Sequence, residues 1–255
     1  MSLRVFALAC HPDDIEFMMA GTLFLLKEAG CELHYMNLAD GSCGSTRHSP
    51  EQIARIRGRE AIDAASVLGA EYHGALAADI EVFYTGQLIK QVTAVLRRTA
   101  PDVLLLPSPE DYMEDHMNTS RIGVTAAFCR GMPNYPSIPP VSPTLQEMAL
   151  YHALPYGLAD GLRRRIVPEL YVDISSVLDR KERMLACHAS QKLWLDESQG
   201  LDSYLITMRE MAREVGRMSG KLEYAEGWRR HSHLGFSVRE IDPLGEILSA
   251  RLFKP

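Results

Sequence analysis

Apolar residues are spaced in two ways along this chain. Short, nearly unbroken runs occur at residues 4–10 (RVFALAC), 31–39 (CELHYMNLA), 71–76 and 102–107 (DVLLLP). Between them, at 15–30, 49–69, 85–99 and 115–132, apolar positions return every three or four residues. The runs predict strands buried on both faces, and the longer stretches predict helices with one apolar side. The punctuation agrees: Ser49 stands as a cap, Pro50 fits a first helical position, and Gly30 and Gly69 close their helices. Strand–helix alternation of this kind predicts an α/β fold, a mostly parallel sheet with helices on both faces.

The second half is less regular. Residues 132–143 (MPNYPSIPPVSP) must form a loop or extended crossover, because proline both fixes φ and removes a donor. Further strands are expected at 148–154 and 170–174, and helices at 176–191 and 202–219. Apolar runs after residue 132 are too few to promise a separate core. The expectation is one domain over 1–255, with 1–131 as its core and 132–255 as a C-terminal elaboration that completes the fold.

Composition narrows the function. A chain of 255 residues can bury a full core without disulfides or metals to staple it. The net charge is −6 and the basic residues are scattered, so no nucleic-acid footprint is present. No apolar stretch approaches the length of a membrane span. The leading segment has an apolar run of about six residues, too short for a secretory signal. Cys10, Cys31, Cys43, Cys129 and Cys187 are odd in number and contain no CxxC. Reduced thiols in a cytoplasmic protein are the simplest reading.

In open α/β sheets ligands bind beyond the carboxyl ends of the strands. There the first run is followed by His11, Pro12, Asp13 and Asp14, the second by Asp40–Gly44, and 102–107 by SPEDYMEDH, with Asp111, Asp115 and His116. Adjacent carboxylates beside an imidazole resist joint ionisation when buried, and a divalent cation removes that cost. His11 and Asp14 are three residues apart, so one helical turn can aim both at one ion. A third ligand such as His116 would leave a position open, as in catalytic zinc sites. The competing reading is that Asp13 and Asp14 merely complement a helix dipole.

These residues also resemble a known family. A strand running into HPDD with Glu16 beyond it is similar to the PIG-L (LmbE-like) family of metal-dependent N-acetylglucosamine deacetylases. RGREAIDAASVLG (57–69), an acidic residue at Asp79, DYMEDH (111–116) and LACHASQ (185–191) resemble further family segments in the same order, so the resemblance covers residues 4–191. It implies a Rossmann-like fold, metal ligands His11, Asp14 and His116, and Asp13 as the general base that activates the attacking water. It implies that Arg57 reaches the site, that Asp115 orients a neighbouring group there or contributes to the substrate site, and that His188 belongs to it. The departure is Met113, where many members carry a histidine that stabilises the oxyanion; methionine has no donor to offer. Arg57 and His188 are the expected replacements, with His231 and His233 next.

The resemblance thus implies a cytoplasmic hydrolase that removes an N-acyl group, N-acetyl in the first instance, from a small amino sugar or glycoconjugate. Zinc suits two imidazoles and a carboxylate, and Fe(II) accepts the same set. Homo-oligomerisation stays open. Alternatives are the same centre acting on another amide or ester, or a non-catalytic metal- or sugar-binding homologue.

Overall fold

The strand β1 (Arg4–Ala9) is apolar after Arg4 because both its faces are covered. Val5, Ala7 and Ala9 enter one apolar cluster, while Phe6, Leu8 and Cys10 enter the other. The structure, a computed structural model, describes residues 2–199 and 204–254. After β1 come α1 (Asp14–Met18), α2 (Ala20–Glu28), β2 (Glu32–Asn37), α3 (Pro50–Leu68), β3 (Glu71–His73), α4 (Gly86–Thr99), β4 (Val103–Leu106) and α5 (Glu114–Cys129). The second half adds β5 (Ala149–Ala153), β6 (Leu170–Asp173), α6 (Leu178–Leu185), α7 (Ala189–Gln199), α8 (Tyr204–Met218), β7 (Ala225–Arg230), α9 (Pro243–Ile247) and β8 (Leu252–Phe253).

The strands form one sheet in the order β3-β2-β1-β4-β5-β7-β6-β8. The pairs from β3 through β5 are parallel, and those involving β7, β6 and β8 are antiparallel. The expected mostly parallel, Rossmann-like α/β sheet is what forms. Helices α4 and α5 cover one face; α2, α3, α6 and α8 cover the other. That second cluster joins Val5 and Ala7 of β1 to Tyr151, Trp228 and Leu244 from the C-terminal half. The strand order reverses direction between β1 and β4, which makes that point a crevice open to ligands. No helix among the described residues is long and apolar enough to cross a membrane.

Local signals placed α3 well. Ser49 accepts from the Gln52 amide while the Gln52 side chain accepts from Ser49, and Gly69 closes the helix at φ 71°. Elsewhere the structure departs from the periodicity. The single helix expected over 15–30 breaks at Met19 (φ −132°) into α1 and α2. The break frees the amides of Gly21 and Thr22, and both donate to the buried Glu226 carboxylate at 2.8 and 2.7 Å. Lys181 Nζ lies 2.6 Å from the same carboxylate. A side chain at Gly21 would also meet Ile174 at 2.6 Å.

The helix expected over 176–191 likewise divides, with α6 ending at Leu185 and α7 starting at Ala189, so His188 sits at a corner. Of the helix expected at 202–219, positions 202 and 203 lie outside the described residues, and α8 follows. Strands β7 and β8 and helix α9 had no readable pattern. The proline-rich loop is a loop, held by the buried Arg97 guanidinium, which donates to the carbonyls of Cys129, Arg130, Met132, Tyr135 and Val141.

Candidate active site

The chain leaves β1 through a tight corner. Asp14, the first residue of α1, turns its carboxylate back so that Oδ2 accepts from the amides of His11 (2.7 Å) and Cys10 (3.2 Å). Asp13 takes up a left-handed backbone at φ 114°, a conformation that costs about 1–3 kcal/mol away from glycine and collects at functional sites. Across the switch point, α5 begins after β4 and brings in His116. His11 Nδ1 and His116 Nε2 are 3.1 Å apart, and Asp14 Oδ2 lies 3.7 and 3.4 Å from them. The three predicted ligand atoms therefore form one triangle.

The other nitrogen of each imidazole faces a carboxylate. His11 Nε2 lies 3.0 Å from Asp79 Oδ1 and 3.5 Å from Asp115 Oδ2; His116 Nδ1 lies 3.1 Å from Asp111 Oδ2. Such partners fix the tautomer and orientation of a ligating histidine and raise its basicity. Burial opposes charge on both rings, but their neighbours outweigh it. Cys10 and the carboxylates of Asp115, Asp14 and Asp79 push His11 well up, and Asp14 with Asp111 push His116 up. For Asp14, burial is outweighed by His116 and His11, which hold its carboxyl well below the usual range. A cluster that stabilises positive charge on two imidazoles is suited to a divalent cation.

Asp13 stands beside this triangle and outside it. Its Oδ1 is 3.5 Å from Arg57 Nη2, and its Oδ2 accepts from the Tyr204 hydroxyl. Burial pushes the Asp13 carboxyl up to about 6, against the pull of Arg57. Arg57 is itself buried: Nη2 donates to Pro12 O at 2.6 Å, while Nε has no hydrogen-bond partner among the described residues. Room for its guanidinium comes from Gly41 and Gly44, where a Cβ would approach Nη1 to 2.6 and 2.7 Å.

Cavity space of about 350 Å³ opens over these groups. His11, Asp13, Asp14, Arg57, Met113 and His116 all line it, together with Phe17, Tyr112, Tyr156, Trp194 and Tyr204. Two expected residues stand behind the wall. Asp115 lies against His11 and accepts from the Ile80 amide at 2.8 Å. His188 is fully buried, with Nε2 3.2 Å from Glu16 Oε1, and Glu16 in turn accepts from the Tyr35 hydroxyl. His231 and His233 are elsewhere; His231 Nδ1 lies 3.0 Å from His152 Nε2. Sequence reasoning missed the parts played by Asp111 and Tyr204. Asp111 lay inside a quoted motif, whereas nothing around Tyr204 marked it.

Fold and site together define a Rossmann-like α/β protein with a His–Asp–His cluster at its switch point. The family model described as PIG-L: GlcNAc-PI de-N-acetylase matches residues 6–127. Diacetylchitobiose deacetylase of Thermococcus kodakarensis is 31% identical over 240 residues, covering 89% of this chain and 82% of that protein. The solved N,N'-diacetylchitobiose deacetylase from Pyrococcus horikoshii, complexed with its inhibitor MPG, superposes with a TM-score of 0.75 at 25% identity, over 94% of this chain and 88% of that one. GalB, the 4-carboxy-2-hydroxymuconate hydratase of Pseudomonas putida KT2440, gives 0.75 at 20% identity over 94% and 99%, a likeness of fold. The chain belongs to the PIG-L family.

Proposed function

We propose that this protein is a divalent-metal-dependent N-deacetylase acting on an amino sugar or a small glycoconjugate. The observation that carries this reading is the triangle of His11, Asp14 and His116 beside a separate carboxyl, Asp13, in an aromatic-lined cavity. The donor set fits the ion: two imidazoles and one carboxylate, with carboxylates behind both rings, are ligands that zinc favours. Zinc held there supplies Lewis acidity towards an amide carbonyl and lowers the pKa of water.

Asp13 takes the proton from the attacking water and passes it to the leaving amine. A carboxyl lifted to about 6 is matched to both transfers near neutral pH. Tyr204 and Arg57 hold its two oxygens, so the carboxyl does not swing away. The rings of Phe17, Tyr156 and Trp194 supply apolar faces suited to a sugar ring.

Met113 lines the cavity with no donor, so the developing oxyanion must find one elsewhere. Arg57 serves from within the cavity. Tyr112 lines it too, edge-on to His116 with ring centroids 5.8 Å apart, and its phenol is a donor at neutral pH. His188 acts through Glu16 and Asp13 as a positioning residue. The five free cysteines fit a reducing compartment, and we assign the protein to the cytoplasm.

The test is release of free amine from N-acetylglucosamine and N,N'-diacetylchitobiose, before and after chelation and zinc addition. Zinc-restored turnover supports the reading. Absence of amine release from every N-acetylated sugar tried, by metal-loaded protein, overturns it.

A further inference from the structure

A second cluster of ligand-type side chains lies at the free edge of the sheet, away from the catalytic cavity. Strands β2 and β3 pair with His34 opposite Glu71 and Met36 opposite His73. Side chains two residues apart share a face, so Glu32 and His34 of β2 and Glu71 and His73 of β3 all project to one side. His34 lies opposite Phe6 of β1, five residues before His11. At about 3.3 Å per residue, that is roughly 16 Å along the strand from the catalytic cluster.

The geometry within the cluster is close. His34 Nδ1 stands 3.1 Å from His73 Nε2 and 3.6 Å from Glu71 Oε2. One ligand atom from each of the three residues lies within 4.8 Å of the others. The second nitrogen of His34, Nε2, is buried without a hydrogen-bond partner among the described residues and faces Glu32 Oε1 at 3.5 Å. Phe6 stacks on both imidazoles, with centroids 5.8 and 5.2 Å away, and fixes the planes of the rings. Glu32 and Glu71 are exposed, so the cluster is open to ions from solvent.

We propose that His34, Glu71 and His73 form a second divalent-cation site, of the kind zinc fills, that fastens the edge strand β3 to β2. Zinc–nitrogen bonds of about 2.0–2.1 Å place neighbouring tetrahedral ligands about 3.3 Å apart, close to the separations seen here. Glu32 takes the place of the carboxylate that receives the outer N–H of a ligating histidine. Water fills the remaining position. The three-residue strand β3 has few ladder hydrogen bonds of its own, so a cross-strand ion holds it where the sheet is weakest.

Zinc binding to chelator-stripped protein, measured by calorimetry with Co²⁺ absorption as a check on tetrahedral geometry, tests this apart from catalysis. Wild type should take up two equivalents, His116→Ala one, His73→Ala one, and the His73→Ala/His116→Ala double variant none. Zinc should raise the Tm of His116→Ala and leave that of the double variant unmoved. Glu32→Gln keeps all three ligands and should weaken the edge site about 10- to 100-fold. If wild type binds a single equivalent that His116→Ala abolishes, the close imidazoles are only hydrogen-bonded and the proposal falls. If His73→Ala still binds two, or the double variant still binds zinc, the assignment of the ligands is wrong.

Discussion

His116 Nε2 stands 3.1 Å from His11 Nδ1, although 105 residues separate the two in the chain. Asp14 completes their triangle, so each residue should be needed for the catalytic ion. In His116→Ala, elemental analysis should show loss of the equivalent that supports turnover, and zinc should no longer restore activity. Retention of that equivalent would show that the ion is held elsewhere.

Asp13 touches Arg57 and Tyr204 rather than the triangle. Asp13→Asn should therefore keep wild-type metal content while kcat falls by about 10² or more. Loss of metal in Asp13→Asn with retention in Asp14→Asn would mean that the two carboxylates have exchanged roles.

Arg57 can be displaced without being removed. A Cβ at Gly41 would come within 2.6 Å of its Nη1, and Gly41 has φ +70°, which disfavours any side chain. Both Gly41→Ala and Arg57→Ala should lower kcat about tenfold or more with metal retained. His188→Ala should lower kcat by a similar factor through Glu16, with metal content again near wild type. Full turnover in Arg57→Ala would move the oxyanion donor to Tyr112, tested by Tyr112→Phe.

Stability should depend on one buried pair. Glu226 accepts from Lys181, Gly21 and Thr22, and Lys181 and Glu226 are both buried. Lys181→Met leaves that carboxylate without its cation and should cost about 3–5 kcal/mol in urea unfolding. An effect under about 1 kcal/mol would show that the two backbone amides suffice.

His152 should contribute to acid sensitivity. Burial, with His231 and Arg229 nearby, lowers its pKa to about 4 against an ordinary value of 6.5. Its folded pKa is depressed, so the unfolded chain binds the proton more readily. The stability it contributes is complete above about 6.5 and is lost as pH falls towards 4. Between pH 7 and about 4.5, His152→Asn should lose roughly 2–3 kcal/mol less than wild type does. Equal losses in the two proteins would place the acid sensitivity in other groups.

Much of this molecule could be read directly from the chain. Strands buried on both faces announce themselves as apolar runs, and α3 carries its own cap, proline and closing glycine. The HPDD corner and the Asp111–His116 segment lie at the ends of β1 and β4, and the rule that ligands bind past strand ends was enough to bring them together. Periodicity failed where a distant partner decided the outcome. The first helix breaks at Met19 because Glu226, 205 residues beyond Gly21, accepts the amides that the break exposes. Strand β7 (AEGWRR) has no alternation of its own and forms because β5 and β6 flank it.

By itself, then, the sequence determined the strand–helix alternation, the loops that carry chemistry and the residue types suited to a divalent ion. Those properties depend on neighbours a few residues away. Only the tertiary structure decided that Asp79 and Asp111 back the imidazoles of His11 and His116, that Tyr204 holds Asp13, and that Asp115 and His188 stand behind the cavity wall. Each of those contacts joins segments from different elements, and its distance is set by how the helices pack on the sheet, a quantity that no local spacing encodes.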